Sequence, residues 1–277
     1  MIADARIVRE FEGVWQRTTD SKRLREGTGT TWNEISLSGL EASDITENTT
    51  NDNPQQVVDT ILTGTPQMVQ IMVKITDRTY RRIADVVESK IGTLAGNAMA
   101  RKKDDDYTTL FSTFGTGASP GAGNPISFGH ISAAVNRTTS NRTEPAVGNV
   151  YTILRGEQIY DIQAEVTAGV GTYTVPNGMT EDVFRQGFRG TVSGSNLFED
   201  GNIAIGASGA QDARGATHAR EGVIAIQGMS IKTETRRDPS FGGGADEVFM
   251  TDEYTFIERS AGNWAYMHLS DATLPTS

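Results

Sequence analysis

The sequence predicts an α+β fold, and three observations carry that prediction. Over residues 77–114, Ile83, Val87, Ile91, Leu94, Ala95, Ala98, Met99, Leu110 and Phe111 recur at three- and four-residue steps, the period of one helix face. Short apolar runs flank that segment on both sides, each bounded by glycine, proline or asparagine, as strands are. Thirty glycines against eight prolines in 277 residues suit many turns and long loops better than a helical bundle.

Taken in order, residues 1–26 read as a short charged arm. Asp4, Arg6, Arg9, Glu10 and Glu12 interrupt any apolar run there, so no secretory signal is expected and the chain is expected to be made in the cytoplasm. Residues 27–73 read as extended. Trp32, Ile35, Leu37 and Leu40 alternate loosely, the stretch 48–54 is turn chemistry, Val57, Val58, Ile61 and Leu62 resume the pattern, and Met68–Ile75 is a strand. Two strands around a polar tip form a long hairpin with too little apolar content to stand alone. Asp77 can cap the helix over 77–114, which at about 30 residues or more would span roughly 45 Å. Gly92 and Gly96 interrupt its pattern at about 1 kcal/mol each relative to alanine, which predicts a neighbouring element packed closely on them. The helix stops in Gly115–Pro125, a domain boundary.

Beyond that boundary the pattern predicts helices over Ser127–Asn136, Glu157–Val166 and Glu181–Gln186. Strands are expected at Asn149–Leu154, Thr191–Phe198, Gly222–Ile226, Met229–Thr235, Val248–Ile257 and Trp264–Leu269, with a glycine loop at 242–244.

Composition removes several function classes. There are no cysteines, so disulfides, thiolate chemistry and cysteine-held zinc are excluded. His130, His218 and His268 are too far apart for zinc-protease or finger spacing. No run approaches the roughly 18 apolar residues of a membrane span. A net charge of −10 argues against a globally basic nucleic-acid binder. The charge is unevenly spread, however. Residues 27–73 hold six acids and no base (Glu34, Glu41, Asp44, Glu47, Asp52, Asp59), whereas residues 74–103 hold eight bases against three acids. Complementary surfaces, within one molecule or between neighbours, are one explanation and ordinary solvated charge is the other.

Two motifs invite chemistry. Gly117-Ala118-Ser119-Pro120-Gly121 spells a hydrolase nucleophile elbow, but a helix precedes it and proline and glycines follow, so it reads as a loop. Asp104-Asp105-Asp106 clusters carboxylates, yet consecutive helical residues diverge by about 100°, and ion pairs with Arg101, Lys102 and Lys103 are expected instead. No cofactor or metal is expected. Trp15 and Trp32 sit in segments with little core of their own and read equally well as contact anchors between subunits or as local packing.

The order of parts resembles the major capsid protein of tailed double-stranded DNA bacteriophages, the Hong Kong ninety-seven type of shell fold also seen in encapsulin nanocompartments. Ile75-Thr76-Asp77-Arg78 leading into Ser89 through Asp104 looks like that family's spine helix. Val150-Tyr151-Thr152-Ile153-Leu154 followed by Gln158-Ile159-Tyr160-Asp161 looks like the strand–helix step of its axial domain, and Glu258-Arg259 to Asp271-Ala272-Thr273 like its last strands. The match covers about 27–273 and is densest over 75–112.

The resemblance implies an N-terminal arm (1–26), an extended loop hairpin (27–73), a peripheral domain with the spine helix (74–124), an axial domain (125–240) and return strands of the peripheral domain (241–277). It implies a non-enzymatic subunit that assembles as hexamers and pentamers into an icosahedral head around phage double-stranded DNA, held non-specifically, in a virion whose coat is made in the host cytoplasm. Portal, scaffold and decoration proteins are the implied partners, and no membrane is. Because the family's loop lies across the adjacent subunit, the acidic loop is expected to meet a neighbour's basic helix region, with Trp15, Trp32, Glu34, Glu41, Asp44, Arg78, Arg81 and Arg82 as the expected interface residues, which predicts salt-sensitive assembly. The loop has no lysine, so the Lys–Asn weld of some relatives is not expected, and neither is a long cleaved scaffolding segment. An encapsulin-like cage, a serine hydrolase using Ser119 and a glycine-rich tail or adhesin protein are the rival readings.

Overall fold

A computed structural model describes residues 13–48, 54–82, 86–142, 144–169, 190–206, 211–241, 243–260 and 262–275. The expected helix over Glu181–Gln186, the hairpin tip at 49–53 and residues 1–12 of the arm lie outside them.

A short helix α1 (Trp15–Thr18) leads into β1 (Asp20–Arg23); β2 (Trp32–Leu37) and β3 (Asp59–Gly64) follow, then β4 (Gln67–Thr76). The predicted long helix is present as α2 (Asp77–Arg82) and α3 (Val86–Leu110), closed by a 3₁₀ turn at Phe111–Thr113, with 83–85 outside the described residues. α3 alone, 25 residues, is about 37 Å long. After the glycine-rich loop come α4 (Phe128–Thr139), β5 (Val150–Leu154), α5 (Gly156–Gly169), β6 (Thr191–Val192), β7 (Ser195–Glu199) and β8 (Asp212–Ala219). The chain finishes with β9 (Val223–Asp238), β10 (Ala245–Glu258) and β11 (Ala265–Asp271).

The strands form three sheets: β1-β9-β10-β4, β11-β8-β5-β7-β6 and the hairpin β2-β3. Sheet membership departs from the sequence segments. β4 pairs along its length with β10, so the segment boundary at 73 falls inside a strand of the four-stranded sheet. β9 pairs with β10 and belongs to that sheet too, although 125–240 was drawn as one unit. β11, expected among the peripheral return strands, pairs with β8 in the five-stranded sheet. Residues 20–23 are no free arm: they pair in parallel with β9 from Asp20↔Ile224 to Arg23↔Gln227.

Local sequence explains most elements. Every residue of β5 is buried, because it runs between β7 and β8 with both faces covered, and its unbroken Val-Tyr-Thr-Ile-Leu run is what such a strand requires. α4 opens on a capping box in which Ser127 and His130 satisfy each other, and it buries Ile131, Ala134, Val135 and Thr138 on one stripe. α5 is fastened by Gln158, whose amide donates to the Ala213 carbonyl (3.1 Å) and the Ser270 hydroxyl (2.6 Å), tying β8 and β11 to the helix. One cluster joins the end of α3 (Tyr107, Phe111) to Phe114, Ile153, Ala216, Val223 and Met267; a second packs α4 and α5 on β5 and β7.

Gly215 sits in the middle of β8, where an added Cβ would lie 2.4 Å from Leu154 Cδ2 and 2.8 Å from the Ile153 carbonyl oxygen. Backbone cannot retreat as a flexible side chain can. Gly215→Ala is therefore expected to cost about 1–3 kcal/mol, read as a lower urea midpoint.

Candidate subunit interface

The hairpin has two unlike faces. In register, Ile35 pairs with Ile61 and Trp32 with Gly64, and directly opposed residues share a face. The Trp32–Gly64 face rests on the four-stranded sheet: Gly64 is buried so tightly that a Cβ there would meet Ile226 Cδ1 at 2.4 Å. Arg259, on β10's continuation, locks that base. Its guanidinium donates to Glu34 (3.1 Å), Asp20 (3.1 Å) and the Glu221 carbonyl (2.7 Å). Burial alone would push the Asp20 carboxyl up, but Arg259 and Lys22 together hold it below its usual range.

The other face is bare. Ile35, Leu37 and Ile61 are 63%, 67% and 62% exposed, and Leu40, Ile45 and Val58 beyond them are exposed as well. Met68 and Met72 on β4 of the four-stranded sheet are exposed as well. Contiguous apolar residues on a strand pair with no cover inside the chain mark a contact surface.

The residues expected at an interface fall into distinct groups. Glu41 and Asp44 are exposed on the hairpin, and Arg78 and Arg81 are exposed on α2; the side chain of Arg82 lies outside the described residues. Glu34 is engaged by Arg259 of its own chain. Trp32 is half-buried on the hairpin's inner face. Trp15 packs within the subunit, edge-on to Phe256 at 5.6 Å and beneath Lys103 at 5.6 Å.

The basic stretch 74–103 is also less free than its count implies. Lys74 bonds Asp238 and Glu247 (both 2.8 Å), and Lys103 bonds buried Asp252 (2.5 Å). Arg101 and Lys102 face Asp105 and Asp106 one turn on, as expected of the triple-aspartate run, whereas Lys103, expected to pair there too, is drawn to Asp252 of β10 instead. Sequence counting missed Arg259 because its acidic partners lie more than 200 residues away.

Gly92 and Gly96 correct an expectation: a Cβ on either meets nothing within 4 Å, so no described element of this chain packs on them. Their alanine variants are expected to stabilise the unassembled subunit by up to about 1 kcal/mol each, read by thermal unfolding.

The enzymatic motif does not assemble. Ser119 Oγ donates to the Leu269 carbonyl (3.1 Å) and accepts the Leu269 N–H (2.9 Å), stapling the loop to β11. The histidines bond elsewhere: His130 to Ser127, His218 to Tyr107 and the Ala219 carbonyl, and His268 to Thr217 and the Ala118 carbonyl. Burial holds both His218 and His268 down at about 4, so they are neutral at pH 7. Ser119→Ala is expected to cost about 1 kcal/mol in a urea melt and to leave assembly intact. Among the described residues no group of three or more His, Asp or Glu is placed to hold a metal, and no helix is long and apolar enough to cross a membrane.

No protein-family model matches the sequence, and no curated protein is similar to it. The solved structures do match. A structure of Mycobacterium phage Che8 superposes with a TM-score of 0.73 at 13% identity, over 97% of this chain and 96% of that one. The capsid of cyanophage P-SCSP1u gives 0.73 at 11% identity, over 99% and 92%. The fold is that of phage capsid subunits. The capsid of Ralstonia phage GP4 extends the match to 100% of this chain and 95% of its own, with a TM-score of 0.71 and 11% identity. Identities this low leave the capsid fold as what is shared, and the hairpin, long helix and sheets described above are all inside the matched length.

Proposed function

We propose that this chain is the major capsid protein of a tailed double-stranded DNA bacteriophage, assembling as hexamers and pentamers into an icosahedral head around the genome. The observation that carries this reading is the near-complete capsid fold with a hairpin whose apolar face has no cover among the described residues of its own subunit. In this reading the segment 27–66 with its hairpin is the extended loop, the four-stranded sheet with α3 is the peripheral domain, and the five-stranded sheet with α4 and α5 surrounds the symmetry axes. Portal, scaffold and decoration proteins are the partners a head of this kind calls for. The part-buried hydroxyl of Ser119 and the histidines hold loops and strands together by hydrogen bonds, and no catalytic step is assigned.

The contact between subunits is chiefly apolar. Covering Ile35, Leu37 and Ile61 would contribute about 1–2 kcal/mol each. Among the described residues Lys74, Arg101, Lys102 and Lys103 are held by acids of their own subunit, and the exposed Arg78 and Arg81 are the bases of 74–103 that would meet Glu41 and Asp44. Such exposed pairs contribute little and are screened by salt.

Sedimentation at low and high salt, with negative-stain microscopy of any fast fraction, tests both statements. Rings or closed shells are expected, with less than about a tenfold rise in the protein concentration needed for assembly at high salt. A chain that stays monomeric at high concentration, with and without the proteins encoded beside it, contradicts the capsid reading.

A further inference from the structure

Asp104 on α3 and Asp200, just after β7, are both fully buried. The Asn202 side-chain amide donates to Asp104 Oδ2 (2.8 Å), and the Asn202 backbone N–H donates to Asp200 Oδ1 (2.9 Å). That leaves Asp104 Oδ1 and Asp200 Oδ2 buried with no donor. Asn202 thus bridges the two carboxyls and serves one oxygen of each, so a donor for either remaining oxygen comes only from a proton on the carboxyls themselves. The chain entering α1 lies against Asp104: a Cβ on Gly13 would sit 2.2 Å from Asp104 Oδ1, so the backbone there closes directly on that carboxyl.

Among the described residues no base is bonded to either carboxyl. On α3, Asp105 adds a further negative charge, and Tyr107 directs its hydroxyl to Thr18 (2.8 Å) and to His218 (2.5 Å) of β8, which is neutral. Ahead of α5, Arg155 bonds the Gly201 and Ile203 carbonyls and Glu157 rather than either aspartate. The arm contributes backbone and the Thr18 hydroxyl. Two ionised carboxylates in contact in a dry interior are strongly unfavourable, and sharing one proton removes both the repulsion and the missing donor. A hard cation would want about six or more oxygens, whereas Asn202 turns its N–H groups toward the site.

We propose that Asp104 and Asp200 share a single proton and form a clasp that holds residues 13–19 and the β7–β8 loop against α3, loosening as that proton is lost. The clasp joins three parts of the chain that are far apart in sequence, so its release changes how the arm and the five-stranded sheet sit on the long helix. It holds whether or not the subunit assembles.

The sign follows from linkage. Burial first, and then the neighbouring charge of Asp104, push Asp200 up to about 8 from an ordinary 3.8. The closed form therefore binds a proton that the open form does not, so opening becomes more favourable from about pH 4 to about pH 8 and levels off above.

Hydrogen exchange of the full chain, followed at residues 13–19 and 199–206 and corrected for intrinsic rates, reads this directly. In the wild type the opening equilibrium is expected to rise about tenfold per pH unit, hence about a hundredfold between pH 5.5 and 7.5. In Asp200→Asn, whose amide supplies the donor permanently, it is expected to change less than about threefold over the same range. Asp104→Asn should give the same flat profile and stands in if the first variant does not fold. Parallel profiles in the wild type and a variant would overturn the clasp. So would a wild-type profile moved by Ca²⁺ or EDTA, which would make the pair a cation site.

Discussion

Replacing Ile35 and Ile61 together by aspartate is expected to abolish particle formation while leaving the subunit's own unfolding midpoint within about 0.5 kcal/mol of the wild type. The two side chains oppose each other across β2 and β3 and are 63% and 62% exposed, so the isolated chain gains almost nothing from them. A neighbour that covers them gains about 1–2 kcal/mol from each, and with aspartate it must instead desolvate two charges without partners. Each subunit presents one hairpin, so the loss recurs at every contact of a closed shell, and small deficits per interface multiply. Ile35→Val with Ile61→Val, which keeps the apolar character, should still assemble at a somewhat higher concentration. Size-exclusion chromatography beside thermal unfolding separates the outcomes. A variant that melts early has lost its fold, and one that assembles normally shows that this face is not the contact.

Phe111→Ala is the complementary experiment, expected to remove about 3–5 kcal/mol of stability. Phe111 is fully buried where α3 tightens into its last 3₁₀ turn. Its ring stands edge-on to Tyr107 at 5.0 Å and leans on Phe114 at 5.5 Å, in the cluster that also holds Ala216 and Met267 of the five-stranded sheet. Truncation leaves a cavity where the end of the long helix meets that sheet. Against a total of about 5–15 kcal/mol for a domain, the expected result is an aggregating chain or one whose urea midpoint falls by a third or more. Phe111→Leu should lose much less.

The long helix and the buried strand β5 were readable from sequence because their periods are strong and local. β8 was not. Its Asp-Ala-Arg-Gly-Ala-Thr-His-Ala run has few strand-forming side chains, since a central strand wedged between β5 and β11 needs small residues where Leu154 presses in. Thr191–Phe198 reads as one strand, but Ser193 and Gly194 both take positive φ (51° and 85°) and fold it into the β6–β7 hairpin. β9 reads as two strands broken at Gly228, yet it runs on through a bulge, and Gly228 is there because Glu253 lies across it. β1, all polar, is held by parallel backbone pairing with β9 and by side-chain bonds of Asp20 to Arg259 and of Arg23 to Ser230.

The interface was legible in part. The hairpin and its position follow from the turn chemistry and the alternation. Which of its acids are free does not, because that depends on Arg259. Counting bases over 74–103 likewise overstates the surface charge, since Lys74 and Lys103 have partners on strands encoded far downstream. Asp104 and Asp200 are 96 positions apart, and only the fold brings them together.

The most direct test of the capsid reading is an electron cryomicroscopy reconstruction of the particle this chain forms, alone or with its co-encoded proteins. A closed icosahedral shell, with Ile35, Leu37 and Ile61 of each hairpin buried against an adjacent subunit, is the predicted result. A fibre, a discrete small oligomer, or a shell whose hairpins leave that face in solvent would contradict it.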